Sequence, residues 1–444
     1  MVILTLNCGS SSAKYQVYDW ENKNVLAVGI VERIGLDYSV IEHRSANNGL
    51  YSEKISSPTH REAIEFIIKI LTDPLYGVIS DVKEIGAVGH RVLHGGERFT
   101  QSVLVDDEVV AVLKELIPLG PLHMPPNIMG IEAARKVMGD VPHAIVMDTA
   151  WHQTMPAFAY MYATPYEWYK NFNVRRYGFH GTSFLYTAKR AAVLLGKDPM
   201  ETNLIICHIG NGASISAVKN GVAVDTSMGL TPLEGLVMGS RSGDLDPAIL
   251  PFIMNRTGMS ASEMDNTLNK KSGLIGICGI SDRRDVKAAA AEGNEKAQLA
   301  IEMECHRLKK YIGAYAAELG RVDALVYTAG VGEMAPHIRE GATKGLDIMG
   351  IKIDLEKNNI AQCRNGELEI SSDDSPTKIF VIPTDEELVM TEDAHALMNG
   401  TYDVHTNFTY SFQSKDYVNK ARALALEDDL KQKPALKAIL ATPR

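Results

Sequence analysis

The chain has 444 residues, a formal net charge of −10 and 45% hydrophobic residues. This length suits two domains with separate cores, and the negative charge argues against nucleic acid or an anionic membrane as a partner. The five cysteines are odd in number and irregularly spaced, which is typical of reduced thiols rather than of a disulfide framework or a zinc site. The first residues enter a strand without a signal-peptide pattern, and no apolar run is long enough to span a membrane. We therefore expect a cytoplasmic protein.

Two strand–turn–strand segments share one plan. The apolar run 2–6 leads through the turn 7–12 into a second strand, 13–18, and the run 203–208 leads through the turn 209–214 into the strand 215–218. A further turn and a third strand follow in each case. Gly, Asn and Ser in such turns allow a phosphate to approach the backbone N–H groups closely. Two copies half a chain apart predict a duplicated fold that closes on one polyphosphate.

Strands and helices alternate along the rest of the chain, as in an α/β protein. The apolar patterns predict helices at 61–71 and 301–319, and strands at 85–92, 143–147, 324–328 and 379–383. We place the first domain boundary near residue 150 and expect the chain to return to the first domain at about 385. The predicted domains are therefore 1–150 plus 385–444, and 151–384. In the tail beyond 401 we expect a surface helix, at about 417–430, that packs on the first domain.

Glycine-rich segments replace the Walker phosphate loop, whose motif does not occur in the sequence. They lie at 9–12, 210–214, 273–279 and 330–332, each after an apolar strand or run. One such segment alone is more often an ordinary tight turn than a phosphate site. Four in one chain favour phosphate binding.

Charged side chains near the predicted strand ends and loops indicate a phosphoryl-transfer site. Arg91 and Arg241 each suit either the grip of an anion or a structural salt bridge. His180, within Arg-Tyr-Gly-Phe-His-Gly, suits stabilisation of charge on a transferring group. Asp148 follows a strand, where it either faces a ligand or caps the next helix. Glu386 belongs either to an acidic helix start or to a Mg²⁺ site.

Long motifs in collinear order from residue 1 to about 400 carry a resemblance to one family. They are NCGSSSAK at 7–14, GHRVLHGG at 89–96, PLHMPPN at 121–127, DTAWHQT at 148–154, RYGFHGTS at 176–183, CHIGNGAS at 207–214, DTSMG at 225–229, RSGD at 241–244 and PTDEEL at 383–388. The chain resembles the acetate and propionate kinase family, within the fold class of sugar kinases, heat-shock ATPases and actin. The resemblance implies an α/β fold of duplicated ribonuclease H-like (actin-like ATPase) domains with a cleft between them.

The resemblance also implies an activity and the residues that carry it. The implied reaction is that of acetate kinase, a reversible in-line transfer of the γ-phosphate of ATP to acetate that gives acetyl phosphate and ADP. It implies Mg²⁺, or Mn²⁺ in its place, and a homodimer. The implied catalytic residues are Arg91, Asp148, His180 and Arg241; the acyl site is Arg91, Leu93, Leu122, Phe179 and Pro232; the metal ligands are Asn7 and Glu386; and the ATP site is Lys14, His208, Ile209, Gly210, Asn211, Gly212, Asp282, Arg283, Arg284, Gly330, Val331, Gly332, Glu333 and Met334.

The chemistry of the implied substrate sharpens one of these roles. A carboxylic acid with a pKa near about 4.3 is already ionised at neutral pH, so no general base is needed. We therefore expect Asp148 to orient Arg91 or a metal-bound water. Leu93 stands where the family often has Val, which predicts a smaller pocket and a modest preference for acetate, since one methylene is worth about 1–3 kcal/mol. Phe184, Met124 and Met334 also depart from the family pattern, and Met334 removes a polar contact on the nucleotide side.

Three alternatives stay open at this level. The chain is compatible with a propionate kinase, with a catalytically silent nucleotide-binding module of the same fold, or with a phosphatase of that fold. A silent module predicts the loss of at least one charged residue of the implied site, and Arg91, His180, Arg241 and Glu386 are all present. A phosphatase requires a positioned water in place of the implied apolar acyl pocket.

Overall fold

The computed structural model describes residues 1–45 and 49–444, which form two compact units. Unit 1 comprises Met1–Gln153, Asp385–Ser411 and Asp416–Ala421. Unit 2 comprises Thr154–Thr384, Phe412–Lys415 and Arg422–Arg444. None of the helices in these described ranges combines the length and the apolarity needed to cross a bilayer.

The described strands form one sheet in each unit. They are β1 (Val2–Cys8), β2 (Ser12–Asp19), β3 (Asn24–Glu32), β4 (Ser39–Ser45), β5 (Gly49–Ile55), β6 (Ile85–Val92), β7 (Val103–Leu104), β8 (His143–Met147), β9 (Leu204–Ile209), β10 (Ala213–Lys219), β11 (Val222–Thr226), β12 (Ala324–Thr328), β13 (Leu368–Glu369) and β14 (Lys378–Val381). The sheet orders are β5-β4-β3-β2-β1-β6-β8-β7 in unit 1 and β11-β10-β9-β12-β14-β13 in unit 2.

Both sheets contain the same five-strand pattern. In unit 1, β1, β2 and β3 are antiparallel neighbours, and β6 and β8 then continue the sheet in parallel on the other side of β1. In unit 2, β9, β10 and β11 form the antiparallel part, and β12 and β14 the parallel part. The parallel strands β8, β9 and β12 are buried along their whole length, as expected where both faces of a sheet are covered. The predicted duplicated α/β fold is confirmed.

The helices cover these sheets. They are α1 (His60–Leu71), α2 (Asp107–Glu115), α3 (Met124–Val137), α4 (Ala157–Tyr160), α5 (Tyr166–Phe172), α6 (Gly181–Leu195), α7 (Ile249–Thr257), α8 (Ala261–Lys270), α9 (Gly273–Cys278), α10 (Arg283–Ala291), α11 (Glu295–Leu319), α12 (Ala329–Met334), α13 (Pro336–Thr343), α14 (Leu355–Ile360), α15 (Glu386–Met398) and α16 (Lys420–Gln432). α1 opens with a capping box between Thr59 and Glu62, and α1 and α3 contribute to the larger core of unit 1. Ala394 of α15 packs against Ile3, Ala87 and Ala144 of the sheet.

Two of the four predicted glycine-rich turns are wrong, because the chain is helical there. Residues 273–278 form α9, and residues 330–332 lie inside α12, directly after β12. Gly273 has a φ of +62°, and a side chain there would collide with the backbone carbonyls of Met238 and Arg241. The glycine at this position allows close packing around Arg241.

The tail departs from its predicted position as a surface helix on the first domain. Residues 412–415 and 422–444 belong to unit 2, and only the segments before and between them belong to unit 1. Phe412 is fully buried and packs on Tyr186 with 4.7 Å between ring centroids. Leu436 and Ile439 are buried as well. This arrangement could not be predicted from the sequence of α16, because that helix has no buried residue. The buried residues that attach the tail to unit 2 lie before and after the helix.

We predict that Phe412→Ala lowers the free energy of unfolding by about 3–5 kcal/mol, because it removes a large buried aromatic side chain. The matched control is Leu424→Ala in α16, where the side chain is 68% exposed, and its effect should stay within about 0.5 kcal/mol. Urea unfolding followed by circular dichroism measures both. Equal effects of the two substitutions would contradict the tail's place in the core.

Candidate active site

In unit 1, an arginine and an aspartate lie at the carboxyl ends of two adjacent parallel strands. Arg91 is the second-last residue of β6, and Asp148 directly follows β8. The Arg91 Nε donates to Asp148 Oδ1 at 2.9 Å, and Nη2 donates to Oδ2 at 2.8 Å. The Asp148 side chain is only 1% exposed. Both of its oxygens are engaged, so Asp148 fixes the plane of the guanidinium, which is one of the two roles that the sequence predicted for it.

Glu386 joins this pair from the first residue of α15. Its Oε2 lies 3.7 Å from Arg91 Nη2. The preceding residue, Asp385, caps the helix by accepting a hydrogen bond from Leu388 N at 3.0 Å. Arg91 therefore has two carboxylates beside it. Burial lowers the pKa of the Arg91 guanidinium, but the charges of Asp148 and Glu386 outweigh burial and raise it overall.

A cavity of about 320 Å³ lies beside the start of α15 in unit 1. Asn7, Lys14, Thr5, Gln16 and Glu387 are among the residues that line it. Burial, followed by the charges of the adjacent carboxylates, raises the pKa of Glu387 to about 7. Carboxylate and amide oxygens of this kind suit Mg²⁺, which keeps several waters and takes few protein ligands. Consistently, no group of three or more His, Cys, Asp and Glu in the described ranges has metal-binding geometry.

The two leucines of the implied acyl site lie in unit 1, where they differ in exposure. Leu93 is half-buried after β6, whereas Leu122 is exposed before α3. Asn127 of α3 accepts a hydrogen bond from Leu93 N at 3.0 Å and donates to Cys8 O at 2.6 Å. Asn127 thus ties the backbone at Leu93 to the first glycine turn. Asn127 stands in one of the motifs that carry the resemblance, but nothing in that motif pointed to a role for it.

In unit 2, two stacked histidines are held by serines. His180 precedes α6 in a left-handed conformation, with a φ of 58°, and its ring lies 4.0 Å from that of His208 at an interplanar angle of 14°. The His180 Nδ1 is 2.8 Å from Ser214 Oγ, and the His208 Nδ1 is 2.8 Å from Ser183 Oγ. The two serines fix the ring planes. Sequence reasoning missed this role for both, although each lies in a quoted motif.

The Arg241 side chain lies near His180 in unit 2. Its Nη1 donates to the carbonyl of Pro232 at 3.0 Å. A methyl group at Gly212 would lie 3.5 Å from Arg241 Nη1 and 3.6 Å from His180 Nε2, so the second glycine turn runs directly against both side chains. Phe179, next to His180, is fully buried.

Arg241 is half-buried without an acidic partner. Within the described residues, no carboxylate lies at salt-bridge distance from it, and burial lowers the pKa of its guanidinium. A cation removed from water without a counter-anion is costly, so the position favours a bound anion. Arg91 contrasts with it, because Arg91 already has Asp148 and Glu386.

The second glycine turn is supported from behind by Arg283. Gly210 N donates to Gly212 O at 2.9 Å, which closes the turn between β9 and β10. Arg283 donates through Nη1 to Gly210 O at 2.7 Å and through Nε to Glu304 Oε1 at 2.7 Å. Arg283 and Glu304 are both buried. These contacts of Arg283 are with protein, and its predicted contact with the nucleotide stays a prediction.

The other implied nucleotide residues of unit 2 fall into three places. Ile209 is buried at the end of β9, and Asn211 is exposed in the turn. Asp282 caps α10 and pairs with Arg284, whose side chain is 90% exposed. The remaining members, Gly330, Val331, Gly332, Glu333 and Met334, lie together in α12.

Glu333 is the buried acidic residue of α12. The backbone N–H groups of Ala329 and Thr384 and the charges of Arg422 and Arg364 favour the ionised form of its carboxylate and so lower its pKa. Burial is the larger effect and raises the pKa of Glu333. These neighbours belong to α12 and to the chain that precedes α15, and the predicted nucleotide contact of Glu333 stays a prediction.

We predict that Arg283→Met lowers the free energy of unfolding by about 3–5 kcal/mol at pH 7.5, because it leaves the buried Glu304 carboxylate without its cation. Burial raises the pKa of Glu304, so the folded state binds a proton more tightly than the unfolded state and stability falls as pH rises. The deficit of the variant should therefore shrink at pH 5.5. Urea unfolding at the two pH values measures it.

The double variant Arg283→Met, Glu304→Leu serves as the control for this prediction. It removes both charges together and should recover most of the loss. A double variant as unstable as Arg283→Met would show that packing of the arginine, rather than its charge, holds the turn.

Comparison with known proteins finds relatives that match nearly the whole chain. The model of the acetokinase family matches residues 2–392. The acetate kinase of Treponema pallidum is 59% identical over 446 residues, which cover 100% of this chain and 99% of that protein. The acetate kinase of Geobacter sulfurreducens is 57% identical and covers 95% of this chain and 100% of its own length.

Solved structures give the same result. The crystal structure of Porphyromonas gingivalis acetate kinase aligns with a TM-score of 0.85 and 45% identity, covering 89% of this chain and 99% of that chain. The structure of a propionate kinase from Francisella tularensis aligns with a TM-score of 0.83 and 40% identity over 89% of this chain and 99% of its own. Fold similarity at this level does not separate the two acyl substrates.

Proposed function

Because the chain belongs to the acetokinase family, we propose that it catalyses the reversible transfer of the γ-phosphate of ATP to acetate, giving acetyl phosphate and ADP. The acetate kinases of Treponema pallidum and Geobacter sulfurreducens, at 59% and 57% identity, support acetate as the acceptor. The reaction needs cations where charge develops on the transferred group, and few other protein groups.

The observation that carries the proposal is the half-buried Arg241 without a carboxylate partner. Gly212 and His180 adjoin it, so an anion beside the glycine turn meets a guanidinium and an imidazole together. Arg241 and His180 stabilise the charge of the phosphoryl group in flight. The serine contact of His180 supports this role, because it holds the ring in one orientation before the substrate arrives.

Arg91 and Asp148 act on the acyl carboxylate. Asp148 engages one edge of the guanidinium, through Nε and Nη2, and leaves the other donors for the substrate. Acetate is ionised at neutral pH and needs no base, so Asp148 acts as an orienting group. Leu93, Leu122, Phe179 and Pro232 are the proposed apolar contacts of the acyl methyl.

Asn7 and Glu386 are the proposed protein ligands of Mg²⁺, for which Mn²⁺ is an alternative. When bound, the metal neutralises charge on the β- and γ-phosphates of ATP. The oxygen donors of these two side chains and the cavity that Asn7 lines support the assignment. The proposed nucleotide contacts are Lys14, His208, the turn 209–212, Asp282, Arg284, Gly330, Val331, Gly332 and Met334. Arg283 and Glu333 belong to the same proposed site, where they support the glycine turn and α12.

We also infer a homodimer in a reducing compartment, the cytoplasm. All five cysteines are free thiols, which supports the compartment. Light scattering after size exclusion tests the dimer. A mass near twice 48.6 kDa is expected, and a mass of one chain would overturn the dimer.

The first test of the function is an assay with ATP, Mg²⁺ and acetate, propionate or butyrate, with hydroxylamine trapping the acyl phosphate. Acetyl hydroxamate should form fastest, and Arg91→Ala and Arg241→Ala should each lower kcat by about 100-fold or more. Arg256→Ala, an exposed arginine on α7, is the control and should keep the wild-type rate.

Other outcomes of this assay point to other functions. Fastest turnover of propionate would indicate a propionate kinase. No acyl phosphate from any acid, in protein that still binds ATP, would indicate a silent nucleotide-binding module.

Leu93→Ala tests the acyl site. The wider pocket should raise the ratio of kcat/KM for propionate over acetate by about tenfold or more, since one methylene is worth about 1–3 kcal/mol. Leu104→Ala on β7 removes an equal volume from an exposed position and should leave the ratio unchanged. An unchanged ratio in Leu93→Ala would remove Leu93 from the pocket.

A further inference from the structure

The chain passes from unit 2 to unit 1 between Thr384 and Asp385, immediately before the proposed metal ligand Glu386. Glu386 is the first residue of α15, so the path of residues 383–385 decides where its carboxylate lies. The chain makes another such passage between Ala421 and Arg422, in the tail. Contacts of the tail on residues 383–385 therefore bear directly on the proposed site.

Two tail residues hold this path, one on each side of the passage. Asn419 Nδ2 donates to Asp385 Oδ2 at 2.8 Å within unit 1. Within unit 2, Arg422 Nη1 donates to Pro383 O at 2.8 Å and Nη2 donates to Thr384 O. Three consecutive residues before Glu386 are thus fixed by side chains only three positions apart in the tail.

Arg422 also lies near a buried carboxylate of the proposed nucleotide site. Its charge, like the backbone N–H of Thr384, favours the ionised form of Glu333. One guanidinium therefore supports both the segment before α15 and the helix α12. Exchange of Arg422 for an apolar residue would leave two backbone carbonyls without these donors.

The tail is anchored on both sides of these two residues, so it can act as a fixed support. Before them, Tyr410 OH donates to Asp393 of α15 at 2.9 Å, and Ser411 N donates to Glu392 at 2.8 Å. After them, Asp429 accepts a hydrogen bond from Asn365 Nδ2 at 2.8 Å. Buried apolar residues follow in the last turn, Pro434–Ile439.

We propose that the carboxy-terminal tail positions the amino-terminal end of α15, and with it Glu386, with Asn419 and Arg422 as positioning residues. Both lie beyond residue 392, where the family model ends. Neither is assigned a contact with substrate. Their effect passes through Glu386, whose carboxylate lies 3.7 Å from Arg91, and a misplacement of about 1 Å in such a site can cost about 100-fold in rate. The proposal rests on the proposed function for its kinetic consequences.

The test compares Arg422→Met, Arg422→Lys and Asn419→Ala with Lys431→Met, a control on the same helix whose charge is exposed and pairs with Asp428. Arg422→Met should lower kcat at least about tenfold and raise the half-saturating Mg²⁺ concentration, while KM for acetate changes less than about twofold. Arg422→Lys should restore part of the loss, because an ammonium can still donate to a carbonyl. Lys431→Met should match the wild type.

A second readout is independent of turnover. Hydrogen exchange by mass spectrometry should show faster exchange in peptides covering residues 383–390 in Arg422→Met, with little change in β9 and β12. Titration with Mn²⁺ and ADP, followed by electron paramagnetic resonance, should show weaker metal binding. If Arg422→Met fails to fold, Asn419→Ala, which removes a single neutral donor, carries the same expectations at smaller amplitude.

The proposal would be overturned if these variants kept the kcat, the Mg²⁺ dependence and the hydrogen exchange of the wild type. Uniformly faster exchange across the whole chain would overturn it as well, since that result indicates a purely structural tail. Failure of the proposed function is distinguishable, because it would appear as absence of acyl phosphate in the wild type, whereas the exchange and Mn²⁺ titrations would still report on α15.

Discussion

A guanidinium that leaves water needs a carboxylate or several carbonyl oxygens beside it, and this requirement organises both units; the fully buried Arg339 is held by amide and carbonyl oxygens alone in the described part of the chain. Arg91 finds Asp148 across two adjacent strands, and Arg283 finds Glu304 across two helices. Arg241 finds no carboxylate among the described residues. The two satisfied arginines are fixed in place by the fold. Arg241 is the proposed site of a substrate anion, and the glycine turn at 210–212 runs against it because glycine leaves room there.

The proposed phosphoryl transfer to a carboxylate requires few protein groups. A carboxylate acceptor arrives ionised, so no residue is spent on removing its proton. Side chains that would serve as bases in other kinases are free to orient cations, as Asp148 does. In the proposed site, specificity rests on a few apolar residues such as Leu93. The similar fold of a propionate kinase fits this view, because small changes in such residues leave the rest of the site intact.

Much of the fold could be predicted from the sequence, since it depends on local apolar runs. The strands at 85–92 and 143–147 and the two hairpins that mark the duplication are examples. What the sequence could not show depends on contacts between distant segments. His180 and Ser214 are 34 residues apart, and Arg190 reaches Phe412 across 222 residues. Neither pairing has a periodic pattern. The helical conformation at Gly273 and Gly330 could not be predicted, because glycine serves close packing in a short helix as well as a tight turn.

The interleaving of the two units bears on how the chain acquires its structure during synthesis. The sheet face formed by Ile3, Ala87 and Ala144 is covered by Ala394 of α15, so this apolar surface stays open until nearly 400 residues have left the ribosome. Unit 2 in turn lacks Phe412 and the buried Leu436 until later still. Because segments of the two units alternate along the chain, each unit is complete only after part of the other has been synthesised. Completion of both units is therefore a late and joint event, which follows the synthesis of the tail.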